Sequence, residues 1–181
     1  LYRYTKKLSR IGKGGEPVIE IKIYTEEDRE EVIDLVLSCQ NDGTRPFVSV
    51  EDQPELLHIK DKYINTVGNF WVAKENSRVV GCIGLMNCGN GIAVMKKFFT
   101  DEAYRSAPHH LGRRLYSRLL DFAREHHIKM LLLDTPKNTH RAHKFYEAAG
   151  FRLMEEQELP VTFDHPYTES DFFYLRIGES I

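Results

Sequence analysis

The sequence predicts an α+β domain built on one mixed sheet, and three observations predict it. Strand-like apolar runs alternate along the chain with helical patterns, two of the runs make a hairpin, and one long helical pattern is amphipathic and basic. A chain of 181 residues suits a single contiguous core. With 41% hydrophobic residues, including ten Phe and nine Tyr, it buries enough apolar surface to offset its ordering entropy, which excludes wholesale disorder.

Residues 1–16 hold Arg3, Lys6, Lys7, Arg10 and Lys13, show little hydrophobic periodicity and end in Gly14-Gly15, which predicts a basic arm ahead of one domain over 17–181. A first residue of Leu rather than Met leads us to expect a longer natural chain. The alternation in Val18 to Tyr24 predicts a strand. Thr25 three residues before Asp28 is an N-cap arrangement leading into a helix through Val32, Leu35, Val36 and Cys39, stopped by Asn41-Asp42-Gly43. Gln53-Pro54 with Leu56, Ile59 and Tyr63 predicts a second helix, since Pro is tolerated in a first helical turn. Residues 69–73 and 79–85 flank the polar turn Glu75-Asn76-Ser77 as an antiparallel hairpin, and a third strand follows over 92–100. From Leu111 the apolar Leu115, Leu119 and Phe122 recur at helical spacing and leave Arg113, Arg114, Arg118 and Arg124 for other faces. Residues 128–133 read as a strand, 138–149 as a helix closed by Gly150, and Phe151 onward and 171–177 as the last strands.

Charge and cysteine content narrow the function. With 25 Lys and Arg against 27 Asp and Glu, the formal charge of −2 removes the bulk electrostatic argument for nucleic acid. Cys39, Cys82 and Cys88 form no CxxC pair, so neither a disulfide scaffold nor a thiolate zinc site is expected, and a reducing, cytoplasmic setting fits. No apolar stretch approaches the roughly 18–20 residues that span a bilayer. The pairs His109-His110 and His126-His127 cannot both face one ion from a helix, and His140 with His143 lacks a third ligand, so no metal is expected. Gly81 to Gly91 contains no Gly-Lys-Ser/Thr phosphate loop.

Two stretches carry a family resemblance. In residues 138–151, Asn138, Ala142, Phe145, Tyr146, Gly150 and Phe151 follow an apolar strand at the spacing of the GNAT acetyltransferase superfamily. In residues 93–105, a strand and a Tyr104-Arg105 turn precede a helix that opens near Gly112 and Leu115, again as in that superfamily. The resemblance implies a GNAT-type mixed, mostly antiparallel sheet flanked by helices and splayed between its fourth and fifth strands. It implies acetyl-CoA as cosubstrate, with the pantetheine arm in the gap against Phe98, Phe99 and Thr100. The pyrophosphate is expected at Arg105, His109, His110, Leu111, Gly112, Arg113 and Arg114, where unpaired amides and the helix dipole attract anions, and Asn138 joins this cofactor-binding set.

The sequence departs from the family pattern at two places. The pattern Arg or Gln, two residues, Gly, one residue, Gly or Ala is not met: counting on from Arg105 puts Pro108 and His110 at the glycine places, and counting back from Gly112 puts Ala107 and His110 at the Arg and first Gly places, so the loop reads as about two residues longer. Many members carry Glu directly after the small residue that Ala93 matches, whereas this chain has Val94. Tyr146 is the expected catalytic acid, because a phenol of reference pKa about 10 keeps its proton at neutral pH and can give it to a departing thiolate. The general base stays unassigned; a relayed water or a carboxylate such as Glu20 is open.

Residues 152–171 contain Glu155, Glu156, Glu158, Asp164, Glu169 and Asp171 against Arg152, either a solvated surface or an acidic rim steering a cationic amine. The expected function is acetyl transfer to a small-molecule or peptide amine by direct attack in a ternary complex, with no nucleic acid or membrane partner and a homodimer left open. A non-catalytic acyl-CoA-binding or regulatory module is the alternative, favoured by the altered loop and the missing strand carboxylate.

Overall fold

In the computed structural model, residues 18–178 are described, so the basic arm over 1–16 lies outside them. Seven strands, β1 (Ile19–Ile23), β2 (Asn69–Glu75), β3 (Arg78–Gly89), β4 (Ile92–Thr100), β5 (Met130–Pro136), β6 (Arg152–Met154) and β7 (Ser170–Arg176), form one sheet. Their order is β1-β2-β3-β4-β5-β7-β6, antiparallel except for the parallel β4–β5 pair. Helix α1 (Arg29–Gln40) covers one face; α2 (Leu111–Glu125) and α3 (His140–Ala148) cover the other.

Each element follows from its residues. The Thr25 amide donates to Asp28 Oδ2 at 3.0 Å and fixes the turn from which α1 starts. Gly150 closes α3 at φ +90°, a conformation that a side chain would strain. Leu111, Leu115 and Leu119 put the apolar stripe of α2 against Val80, Ile83 and Leu85 of β3 and Ala93 and Met95 of β4. On the opposite face Val32, Leu35 and Val36 of α1 pack with Leu56, Ile59, Tyr63, Phe70 and Val72. A helix starting at Pro54 does not form as one piece: a 3-10 turn, Pro54–Leu57, and a π turn, Lys60–Ile64, replace it. Leu56, Ile59 and Tyr63 are nevertheless fully buried, because core packing holds them through two irregular turns. The strand expected from Phe151 is only three residues at the sheet edge.

The fold prepares the site by an interruption in the ladder. β4 and β5 pair only through Ile92–Met130, Ala93–Leu131 and Val94–Leu132, then separate, so the splay expected between the fourth and fifth strands is present. From Met95 onward the β5-facing edge of β4 has no strand partner, and such an edge offers backbone donors and acceptors to a ligand. Val94 itself is fully buried in the paired part, so the position of the family's strand carboxylate is core here.

Candidate active site in the strand splay

The splay is shaped by a bulge in β4. Cys82 pairs with Phe99 and Gly84 with Lys96, so Ile83 faces both Lys97 and Phe98, and Lys97 takes φ +53°. In a regular strand adjacent side chains point to opposite faces. The bulge instead lets Lys96 and Lys97 both reach Glu55, at 3.6 and 2.9 Å, on the α1 face of the sheet. Lys96 Nζ also donates to the Asp164 carbonyl at 2.6 Å, and Lys97 Nζ donates to Gln53. Both lysines are buried, at 7% and 6% exposure. Burial lowers the pKa of Lys97, with Glu55 opposing. For Glu55, burial alone would raise the pKa, yet the two ammonium groups outweigh it and hold the carboxyl below its ordinary range.

A cavity of about 120 Å³ lies in the gap, lined from β4 by residues 95–99, from β5 by Asp134 to Pro136 and from α3 by Ala142 and Tyr146. Whole-ligand pockets run to roughly 300–1,000 Å³, so this one is too small for an entire cofactor. Tyr146 packs against Phe151 and Phe173 at ring distances of 5.7 and 5.9 Å. Burial pushes its phenol well above its usual value, and neighbouring Asp134 adds to the effect. Asp134 enters from β5 with Ser170 Oγ donating to it at 3.4 Å. Burial raises its pKa, with Lys96, His165 and Lys97 opposing. One wall therefore holds a phenol that keeps its proton, and another holds a carboxyl disposed to accept one.

The N-terminus of α2 stands beside this gap. An added Cβ at Gly112 would lie 3.5 Å from the Phe98 ring, and the Phe98 ring packs on Phe145 of α3 at 5.4 Å. His110 adopts φ +44°, the left-handed conformation glycine favours, and it falls at a glycine place of the pattern in either count. The His110 carbonyl accepts from Arg113 and Arg114 at 3.1 and 3.4 Å, which leaves the Leu111 and Gly112 amides without a helical partner. The first turn of α2 contains no acidic residue and two arginines, the wrong sign for a positive helix end unless an anion sits there. Arg114 donates to the Ile19 carbonyl at 2.9 Å, and His109 rests on the Tyr104 ring at 5.1 Å.

Other expected residues sit elsewhere. Arg105 Nε donates to the Thr100 carbonyl at 3.0 Å and lines a separate groove with Glu31, Asp34 and Cys39 of α1. Exposed Asn138 donates to the Thr44 carbonyl at 2.9 Å, bracing the 41–48 loop. Glu20 is exposed on β1, at the sheet edge three strands from β4. Of the acidic run, Glu155, Glu156, Glu158, Asp164 and Glu169 are exposed, and none of the six acids lines the cavity; Pro166 and Tyr167 do. Cys82 is fully buried, with its thiol pushed up by burial, the state of an inert structural cysteine. Among the described residues there is no cluster of His, Cys, Asp and Glu that could hold a metal, and no helix long and apolar enough to cross a membrane. Sequence reasoning missed Asp134, Lys96, Lys97, Arg45 and Tyr167. A charged pair inside the apolar run of β4 and a lone Asp ending that of β5 were the available signals.

Comparison with known proteins agrees with this architecture. Residues 30–151 match the model of the acetyltransferase (GNAT) family. A crystal structure of an acetyltransferase from Streptococcus agalactiae is 36% identical, with a TM-score of 0.84 over 88% of this chain and 98% of the other. The PaiA N-acetyltransferase of Thermoplasma acidophilum, solved in complex with coenzyme A, shares the fold at a TM-score of 0.69 and 16% identity, over 88% of this chain and 99% of that one. The N-acetylaspartate synthetase of Xenopus tropicalis is 28% identical over 127 residues, covering 67% of this chain and 46% of the relative. The chain spans about half the length of the curated relatives it matches. With the family model matched over most of the chain and the splayed sheet in place, the protein belongs to the GNAT acetyltransferase family.

Proposed function

We propose that this protein transfers an acetyl group from acetyl-CoA to an amine acceptor by direct attack, with Tyr146 as general acid and Asp134 as general base. The observation that carries the reading is the convergence of the unpaired edge of β4, Tyr146 and Asp134 on one cavity in the splay. The residues present fit the cosubstrate: the Leu111 and Gly112 amides with Arg113 suit a pyrophosphate, and Phe98, Phe99 and Thr100 present a strand edge to an amide-bearing arm. Bound acetyl-CoA supplies an activated acyl carbon and a thiolate leaving group. Asp134 takes a proton from the acceptor ammonium so that the nitrogen can form the new N–C bond as the C–S bond breaks. Tyr146 gives its phenol proton to the departing sulfur. Of the two protons the ammonium loses, one leaves through Asp134 to solvent and the other balances the one that Tyr146 gives up.

Two outcomes test the cosubstrate half of the reading. CoA at about 100 times its dissociation constant should stabilise the fold by roughly 2.7 kcal/mol in a thermal scan. No shift at saturation, with calorimetry detecting no binding, refutes it. Gly112→Asp should weaken CoA binding about tenfold or more, because it sets a carboxylate where the helix start must approach a pyrophosphate. The added Cβ meets only ordinary contact with Phe98 at 3.5 Å, so the variant should fold. An unchanged affinity would move the phosphate site elsewhere. The second reading, a non-catalytic acyl-CoA-binding module, rests on His110 in place of glycine and Val94 in place of a strand carboxylate; CoA binding without turnover across a broad amine panel would favour it.

A further inference from the structure

Two residues that line the splay cavity carry buried donors with no acceptor. Arg45 Nε and the Tyr167 hydroxyl are buried and make no hydrogen bond among the described residues, and Tyr167 is only 8% exposed. Leaving a buried polar group unsatisfied costs about 1–3 kcal/mol, so two such groups on one wall call for a ligand. The local structure holds them there. Arg45 rides on the 41–48 loop, closed by Asn41 Nδ2 donating to the Val48 carbonyl at 2.8 Å and the Val48 amide donating to Asn41 Oδ1 at 2.9 Å. One of its terminal nitrogens is committed to the Cys39 carbonyl and Asp42, which leaves the Nε edge uncommitted. Tyr167 comes from the β6–β7 connection.

The unpartnered donors select the ligand. Arg45, Lys96 and Lys97 line the cavity against one carboxyl, Asp134, while Glu55 and Asp42 pair with these cations from outside the lining. Guanidinium and ammonium groups only donate, and a carboxylate offers two oxygens with about four acceptor positions. We propose that the amine acceptor carries its own carboxylate, held by Arg45 and Tyr167 with Lys97 beside them: an amino acid or a similarly small amino-carboxylate. This rests on the transfer reading above, and it reverses the cationic-acceptor option drawn from the acidic run, whose side chains lie outside the cavity.

The test measures kcat/KM by CoA release for L-phenylalanine, L-glutamate and glycine against their α-amides, and for phenylalanine against phenethylamine, with CoA affinity from calorimetry alongside. The carboxylate member should be preferred at least tenfold in one or more sets. Arg45→Gln and the isosteric Tyr167→Phe should each collapse that preference toward unity while CoA affinity holds. Amides or phenethylamine used as well as the acids overturn the proposal and leave acetyl transfer standing, as does a preference that survives both variants. Failure of CoA to bind overturns the transfer reading and this proposal together.

Discussion

Tyr146→Phe is expected to lower kcat by about 10²- to 10⁴-fold while CoA affinity stays at the wild-type value. The substitution removes one oxygen and keeps the ring, so the contacts with Phe145, Phe151 and Phe173 persist and the fold has no reason to weaken. The hydroxyl makes no hydrogen bond to another described residue, so its removal strands no partner. What is lost is a proton donor held at the cavity wall, its pKa raised by burial so that the donor form is the resting form. That loss bears on the transition state, where the sulfur acquires charge, rather than on ground-state binding. Equal kcat for wild type and variant in steady-state assays would refute the assignment.

Asp134→Asn should cost a similar factor in kcat/KM, about 10²- to 10⁴-fold, because it deletes the one carboxyl that lines the cavity among the described residues. The pH dependence separates a base from a merely packed residue. A base must be ionised, so wild-type kcat/KM should rise with pH through the folded-state pKa of Asp134, which burial sets above the ordinary carboxyl range. Stability runs the other way. For a carboxyl whose folded pKa is raised, the favourable contribution is fully present below the unfolded pKa and is lost as pH climbs through the folded one. Asparagine removes that penalty, so the variant should be at least as stable as wild type at neutral pH while being far slower, the usual sign of a site strained for function. A variant with full activity, or one whose acidic limb is unchanged, would exclude Asp134 as the base.

The order of elements was legible in the sequence because it depends on local periodicity. Val18 to Tyr24, the hairpin about Glu75-Asn76-Ser77 and the leucine stripe of α2 each state their conformation in neighbouring residues. The GNAT spacing from Asn138 to Phe151 was legible for the same reason, and it placed Tyr146 on α3. Where a segment's conformation depends on distant packing, the reading failed: Leu56, Ile59 and Tyr63 look helical, but they are buried by two irregular turns rather than an α-helix.

By itself, then, the sequence determined the fold class, the splayed sheet through its family resemblance, and the place of Tyr146 on α3. Only the tertiary structure decided the rest of the site. Lys96 and Lys97 share one face because a bulge changes the alternation that a regular strand would impose, and a bulge is set by pairing with β3, where Lys96 meets Gly84 from 12 residues away. Asp134 of β5 and Tyr146 of α3 line one cavity because β4 and β5 part after Val94. Arg45 and Tyr167 come from loops 122 residues apart in the chain, and both residues line the gap that β4 and β5 open. Periodicity reports which side of an element is apolar, whereas a binding site is a meeting of polar groups from different elements, and no local pattern encodes that meeting.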